Sequence, residues 1–350
     1  MHKWKIKLLE KIEEKGKGLF SGKADLEAMD FLSEKNSLTA VFSRLNEKNL
    51  AEKKIKKKKF LAVFAKDFNE TENTFDFSVV FHEDFMGKNG TEETLVFAGK
   101  KTRLNGKIYF ICKTSRGAKN FAETMKELFG NSTTLGIRNG VRLIASEKKK
   151  GIEGKINKEI EQKNELKTEK LIEFGLRSKK YFFYSSFGVF SAKKIDEGTK
   201  LLLECLKKIK EKRILDFGCG LGIIGIVLAK ENPEAGIVLL DSDFKSVKLT
   251  EKNIKKNELN NAETIVSDGF KNFKGKFDLI ASNLPTHEKR EFLEEFVLEA
   301  EKRLNSKGRL VLVLNKAVFL EKELNQVFGN HRILAQGEKH KVIEAVKNLG

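Results

Sequence analysis

The amino-acid sequence predicts an α/β layer protein built from two related halves. Three observations carry the prediction. Short runs rich in Phe, Val and Ile alternate with helical patterns along the chain. A glycine-rich turn, Gly218-Cys219-Gly220-Leu221-Gly222, joins one such run to a following helix. Fragments of the first half also recur in order in the second. Phe75-Asp76 returns as Phe277-Asp278 and Gly106 as Gly308, both 202 residues on, while Phe129-Gly130-Asn131 returns as Phe328-Gly329-Asn330, 199 residues on.

Taken in order, Gly18-Leu19-Phe20-Ser21-Gly22 reads as an early turn. The run Lys53 to Lys59 reads as a solvated helix face or a loop leading into a strand. Residues 60–65, 75–81 and 107–112 read as strands, and Ala118 to Phe129 as a helix. Residues 147–170 are dominated by Lys, Glu, Gln and Asn and show little apolar periodicity. This suggests domains at 1–150 and 171–350, joined by a charged linker over 151–170. In the second half, strands are expected at 214–217, 237–240, 263–266, 277–281 and 309–314. Helices are expected at 221–230, 245–257 and 288–304.

Length and composition bound the class. A chain of 350 residues suggests two domains, and 40% hydrophobic residues suggest a globular protein. No apolar run reaches the roughly 18 residues that span a bilayer. The charged start, Met1 to Lys5, is followed by no apolar region of the signal-peptide kind. Cys112, Cys205 and Cys219 have neither metal nor disulfide spacing, so a reducing, cytoplasmic setting without a metal site is expected. The net charge is +18, and residues 101–150 carry 12 basic residues against 3 acidic ones, with Tyr109, Phe110 and Phe121 among them. A basic surface recruits polyanions by releasing counterions, which makes RNA the first partner to consider.

The loops after the second-half strands carry the chemistry. Glycines at 218, 220 and 222 let the backbone turn tightly and approach a ligand, beside the unpaired N–H groups of a helix start. Nicotinamide dehydrogenases carry a similar loop. Asp241 ends the next strand, where an acid can bind both hydroxyls of a ribose. Asp268, after the strand that follows, can accept from an exocyclic amine of adenine or can cap a helix. Asn283-Leu284-Pro285-Thr286-His287 discriminates between cofactors, because dehydrogenases have no need of an Asn-x-Pro turn there. An sp² amine attacks poorly, since its lone pair is delocalised into the ring. The Asn283 side chain and the Leu284 peptide oxygen can accept from both amine hydrogens and free that lone pair. The bland alternative is a strand-ending turn that caps the helix from Glu288, with His287 a surface histidine.

Together these residues resemble the class I S-adenosylmethionine-dependent methyltransferases of the RsmC/RlmG type, which act on guanine-N2 in ribosomal RNA. The resemblance rests on Gly188-Val189-Phe190-Ser191, Asp196, Leu201-Leu202-Leu203, Leu215 to Gly220, Phe277 to Ile280, Ser282-Asn283, Pro285 and His287. It closes with Leu304 to Gly308, Phe328-Gly329 and Lys341-Val342, and so covers nearly all of 185–350. It implies two tandem Rossmann-like methyltransferase domains. The first would be degenerate and would bind RNA or stabilise the fold. The second would hold a seven-stranded, mostly parallel sheet flanked by helices.

The resemblance further implies cofactor contacts from Asp216, Gly218, Cys219, Gly220, Gly222, Asp241, Asp268 and Asn283. Asn283, Leu284 and Pro285 would surround the target amine. Phe190, Ser191, Thr286 and His287 would face a flipped base. Leu284 and Thr286 depart from the Asn-Pro-Pro-Phe usual in that family, and Thr286 removes a stacking ring. The expected function is methylation of an exocyclic amine of an RNA base, most simply guanine-N2 of ribosomal RNA or of a ribosomal subunit. The alternatives are a transfer RNA or protein glutamine methyltransferase, or a non-catalytic RNA-binding protein with a vestigial cofactor site.

Overall fold

In the computed structural model, residues 2–57, 59–65, 68, 74–83, 87–151, 169–186, 195–207, 209–271, 273, 275–284 and 290–348 are described. The chain divides into two compact units, 1–168 and 169–350. Among the described residues no helix is long and apolar enough to cross a membrane.

Each unit holds a seven-stranded sheet. In the first, the strands are β1 (Lys17–Gly22), β2 (Ser37–Phe42), β3 (Phe60–Phe64), β4 (Phe75–Phe81), β5 (Thr102–Lys113), β6 (Thr133–Arg138) and β7 (Val141–Glu147). The second unit opens with a separate hairpin, β8 (Glu169–Leu176) and β9 (Lys179–Ser186). Its sheet comprises β10 (Arg213–Phe217), β11 (Gly236–Asp241), β12 (Ala262–Val266), β13 (Phe277–Asn283), β14 (Leu304–Asn315), β15 (Arg332–Gln336) and β16 (His340–Val346). The strand orders are β3-β2-β1-β4-β5-β7-β6 and β12-β11-β10-β13-β14-β16-β15, one pattern used twice. Five strands in each sheet run parallel, and the last two of each order join antiparallel.

The repeated sequence fragments do the same work in both units. The Asp76 carboxylate accepts from the Lys17 N–H at 2.7 Å, and the Asp278 carboxylate accepts from the Lys212 and Arg213 N–H groups at 3.1 and 3.0 Å. Each aspartate thus anchors the start of the neighbouring central strand. Gly130 and Gly329 both take φ of 74° at a helix end, a left-handed cap that disfavours a side chain. Asn131 then donates to the Phe129 and Glu147 carbonyls and accepts from the Glu147 N–H. Asn330 repeats this with Phe328 and Val346.

Helices cover both faces of each sheet. The helix Ala118–Phe129 buries Ala118, Phe121, Met125, Leu128 and Phe129, the spacing that marked it in the sequence. The helix Ile223–Glu231 buries every residue from Ile223 to Ala229, so it reads as an unbroken apolar run. The hairpin β8–β9 is held by the helix Phe244–Lys256 and the residue after it. Asn253 and Asn257, one turn apart, each accept from and donate to the β9 backbone at Tyr184 and Phe182. Two side-chain amides thus satisfy a strand edge that no further strand covers.

The structure corrects several expectations. Gly18 to Gly22 is no turn; it is the central strand β1, and Leu19 and Phe20 are wholly buried. The segment is too short for periodicity to separate strand from turn. Strands β2, β8 and β9 were not expected, while β6, β7, β15 and β16 fall where the repeat implies closing strands after each Phe-Gly-Asn, without bounds. For β6–β7 a signal existed: Asn139-Gly140 makes the hairpin turn with φ of 47° and 70°.

Replacing Asn131 or Asn330 by alanine is expected to cost about 2–3 kcal/mol, because three backbone groups lose a partner at once. Denaturant unfolding of each variant checks this; midpoints equal to the parent chain would refute it.

Candidate functional site

In an open α/β sheet, ligands bind beyond the carboxyl ends of the strands, where the strand order reverses. In the second unit that point lies between β10 and β13, which pair in parallel with Asp216 opposite Ala281. Ser282 Oγ donates to the Phe217 carbonyl at 2.7 Å and ties the two strand ends together. Asp216, Asp241, Asp268 and Asn283 therefore belong to adjacent strand ends of one sheet edge.

Asp216 is fully buried. Its Oδ2 accepts from the Gly225 N–H at 2.8 Å, while Oδ1 has no partner among the described residues. Burial pushes its carboxyl up to about 7, opposed by the Gly225 N–H and assisted by the Asp241 charge. A carboxylate oxygen left without a donor in the core is costly. Groups with such shifted titration concentrate at functional sites.

The loop after β10 is shaped by its neighbours. Gly218 and Cys219 donate to the Leu240 carbonyl, and Gly220 donates to Asp241 Oδ2 at 2.9 Å. The Asp243 N–H fills a site on Asp241 Oδ1 at 2.9 Å. Gly218, Gly220 and Gly269 have φ of 69°, 57° and 59°, and a Cβ built on any of them would meet nothing within 4 Å among the described residues. Such open backbone is the approach a ligand needs. Gly222 differs: a Cβ there would lie 2.7 Å from Thr250, so packing and its φ of 78° demand glycine. The Cys219 thiol lies in the apolar core against Thr250, and burial holds it protonated. Cys219 can thus offer a ligand its backbone alone. Asp268 is largely shielded and pairs with Lys271 at 3.0 Å.

At the end of β13, Asn283 Nδ2 donates to Thr199 Oγ1 at 2.9 Å and to both Asp196 oxygens at 3.2 and 3.3 Å. A carboxylate only accepts, so the amide must turn its NH2 end to Asp196. Its Oδ1 takes no hydrogen bond among the described residues. Leu284 buries its side chain in the core beside Phe217 and Phe270. Phe190, Ser191, Pro285, Thr286 and His287 lie outside the described residues. The Asp196–Thr199 contact with Asn283 went unread in the sequence, although Asp-x-x-Thr before a helix is a capping signal that could have located it. Among the described residues no group of three His, Cys, Asp or Glu is placed to hold a metal ion.

The first unit shows what happens when these positions are apolar. Phe20 pairs with Val79, four residues past Phe75, just as Asp216 pairs with Ala281, four past Phe277. Phe20 thus stands where the second unit has Asp216. By the same registers Phe42 replaces Asp241 and Phe81 replaces Asn283. All three phenylalanines are buried in one cluster, and Phe20 and Phe81 stack at 5.1 Å. The polar cleft of one unit is an aromatic core in the other. A separate concavity of about 560 Å³ opens at the opposite strand ends of the first unit, lined by Lys17, Lys35, Lys59, Asp76 and Arg103 among others.

Comparison with known proteins bears on this geometry. Residues 180–344 match the family described as methyltransferase small domain. Ribosomal RNA small subunit methyltransferase C of Haemophilus influenzae is 37% identical over 169 residues, 47% of this chain and 51% of that protein. The protein of the same name from Pasteurella multocida is 37% identical over 163 residues, 45% and 49% respectively. The chain thus spans about half the length of the curated relatives it matches. Among solved structures, the Thermus thermophilus 16S rRNA N2 methyltransferase RsmC, in complex with AdoMet and guanosine, superposes with a TM-score of 0.80. It is 22% identical, and the match covers 98% of this chain and 91% of that one. Residues 180–344 are therefore similar to the methyltransferase small-domain family, and the chain as a whole shares the two-unit fold of that solved structure.

Proposed function

We propose that the chain is an S-adenosylmethionine-dependent N-methyltransferase acting on an exocyclic amine of an RNA base, guanine-N2 of ribosomal RNA being the substrate its relatives favour. The observation that carries this reading is Asn283, whose amide is held at its NH2 end and keeps its oxygen as an acceptor.

The strand-end residues fit the cofactor. Among the described residues Asp216 Oδ1 lacks a donor and nothing fills the space before the backbones of Gly218, Gly220 and Gly269, while the Asp241 carboxylate at the strand end would face the ribose hydroxyls. Asp268 would accept from the adenine amine in place of Lys271. When bound, S-adenosylmethionine supplies a methyl group activated by a sulfonium centre.

The chain's own part is positioning. Asn283 Oδ1 and the Leu284 peptide oxygen accept from the two amine hydrogens and turn the nitrogen lone pair toward the methyl carbon. The bound cofactor would supply the methyl group and keep the bonding pair on sulfur as a neutral thioether, which would leave the amine nitrogen cationic. Its proton then acidifies and leaves to solvent without a strong base. Phe190, Ser191, Thr286 and His287 are proposed to face the extruded base, and Pro285 to shape the turn.

The first unit is proposed as an RNA-holding and stabilising partner, with 1–150 as its core and 151–170 as linker. Its aromatic-filled cleft leaves no place for a cofactor. Lys17, Lys35, Lys59 and Arg103 line a concavity suited to phosphates, which favours RNA over a protein substrate.

Mass spectrometry of ribosomal RNA nucleosides from cells lacking the gene tests the reading, with loss of one N2-methylguanosine expected. Calorimetry showing no S-adenosylmethionine binding would defeat it. Asn283→Ala should lower kcat by roughly 10²–10³-fold, the usual loss for one transition-state hydrogen bond, with cofactor affinity retained. Asp241→Ala should instead weaken the cofactor, and unchanged affinity would remove the ribose contact.

Asp216 makes a pH prediction. Its folded value, about 7, lies above the ordinary 3.8, so its contribution to stability is whole below pH ~4 and is lost as pH rises through 7. Asp216→Asn should flatten that window and stabilise the chain at pH 8, by at most about 4 kcal/mol, while weakening the cofactor. Urea unfolding at pH 4.5 and 8 reads the first effect; identical pH dependence in both proteins would refute it.

A further inference from the structure

We propose that Asp196 and Thr199 are positioning residues that set which end of the Asn283 amide meets the target amine. The inference rests on the role given to Asn283 above. An asparagine amide has two nearly isosteric ends, and only the oxygen can accept from an amine N–H. If the group rotated by half a turn, it would present a donor to a donor, and the grip would fail. Something must therefore hold the NH2 end.

Asp196 precedes the helix Glu197–Cys205 and caps it, its Oδ1 accepting from the Thr199 N–H at 3.0 Å. Thr199 Oγ1 donates to Asp196 Oδ2 at 2.6 Å. With its one hydrogen so committed, the Thr199 hydroxyl can only accept from Asn283, and does so at 2.9 Å. Every bond in this chain therefore runs one way, from Asn283 through Thr199 to a carboxylate that cannot donate. Thr199 is buried and Asp196 partly so, which limits exchange of these partners with water. The helix cap and the amide orientation thus share one carboxylate. Asp196 and Thr199 act through Asn283, the member of the network proposed to meet the amine.

Asp196→Asn separates the two tasks. Asparagine caps helices about as well as aspartate, so the fold should hold. Its side chain can donate as well as accept, so the obligatory direction is lost. Parent, D196N, N283D and D196N/N283D proteins are compared by thermal unfolding, S-adenosylmethionine calorimetry and methyl transfer to ribosomal RNA. For D196N the expected result is an unchanged Tm, cofactor Kd and RNA KM, with kcat lower by roughly 10- to 100-fold, the loss typical of a displaced supporting group. N283D sets two carboxylates against each other and should be inactive. The double variant restores an amide–carboxylate pair with its donor reversed, and should regain at least about tenfold over N283D, as coupled partners do in a double-mutant cycle.

A D196N kcat within twofold of the parent would overturn the inference, as would equal loss of Tm, cofactor affinity and kcat. If the parent itself methylates no RNA, the proposed function fails instead. The Asn283 NH2 protons, followed by NMR hydrogen exchange, then decide the orientation alone. Slow exchange in the parent and faster exchange in D196N are expected; fast exchange in both would overturn the inference.

Discussion

The parallel pairing of β10 with β13 is the constraint from which the site follows. The two strands are separated by two further strands in sequence, yet they lie side by side at the reversal of strand order. Helices leave this point toward opposite faces, so among the described residues no helix closes the crevice between the strand ends. Asp216 and the loop after it stand on one side, and Asn283 stands on the other. The Ser282–Phe217 hydrogen bond, buried and direct, keeps the two edges in step. Asn283 meets the Asp196 cap only because β13 ends at that height.

The same pairing exists in the first unit, between β1 and β4, with the opposite chemistry. Phenylalanines occupy the positions of both acids and the amide, and they bury one another. Apolar burial stabilises a core in proportion to area, whereas an unpartnered carboxylate in the same place destabilises it. The first unit is thus relieved of a functional strain that the second retains. Asp216 breaks a rule of core construction that its counterpart Phe20 obeys, and such violations concentrate where ligands bind. One scaffold therefore carries an aromatic core at these positions in one copy and polar groups in the other.

Directional hydrogen bonding recurs where ordinary ladders run out. Asn131 and Asn330 close the gap between a helix end and the last strand. Asn253 and Asn257 complete the edge of β9. Asn283 uses the same two-ended group at the site. In each case an amide offers a donor and an acceptor at fixed spacing, which a backbone edge or a helix cap can match. The asparagines tie together segments far apart in the chain, and burial makes their orientation costly to reverse.

Local patterning carried much of the architecture. The glycine turn and the alternation of apolar runs with helical periods were legible because each reflects interactions within a few residues, and the Phe-Asp and Phe-Gly-Asn fragments because they recur in the same order in both halves. They placed β3 to β5 and β10 to β14 and the repeat itself, with closing strands after each Phe-Gly-Asn. The bounds of those closing hairpins, β2, the hairpin β8–β9 and the buried β1 were not legible, since their strand character comes from neighbours supplied by distant segments. At the site, Asp216, Asp241 and Asn283 could be singled out by residue type at strand ends. Their states could not: that Asp216 is half-partnered, that Cys219 faces the core and that Asn283 is oriented by Asp196 are outcomes of packing. Sequence by itself thus determined which groups stand at the strand ends, because strand and turn signals are local. Tertiary structure alone decided how those groups are bonded and which ends they present, because the partners lie up to 87 residues away and meet only when the sheet is assembled.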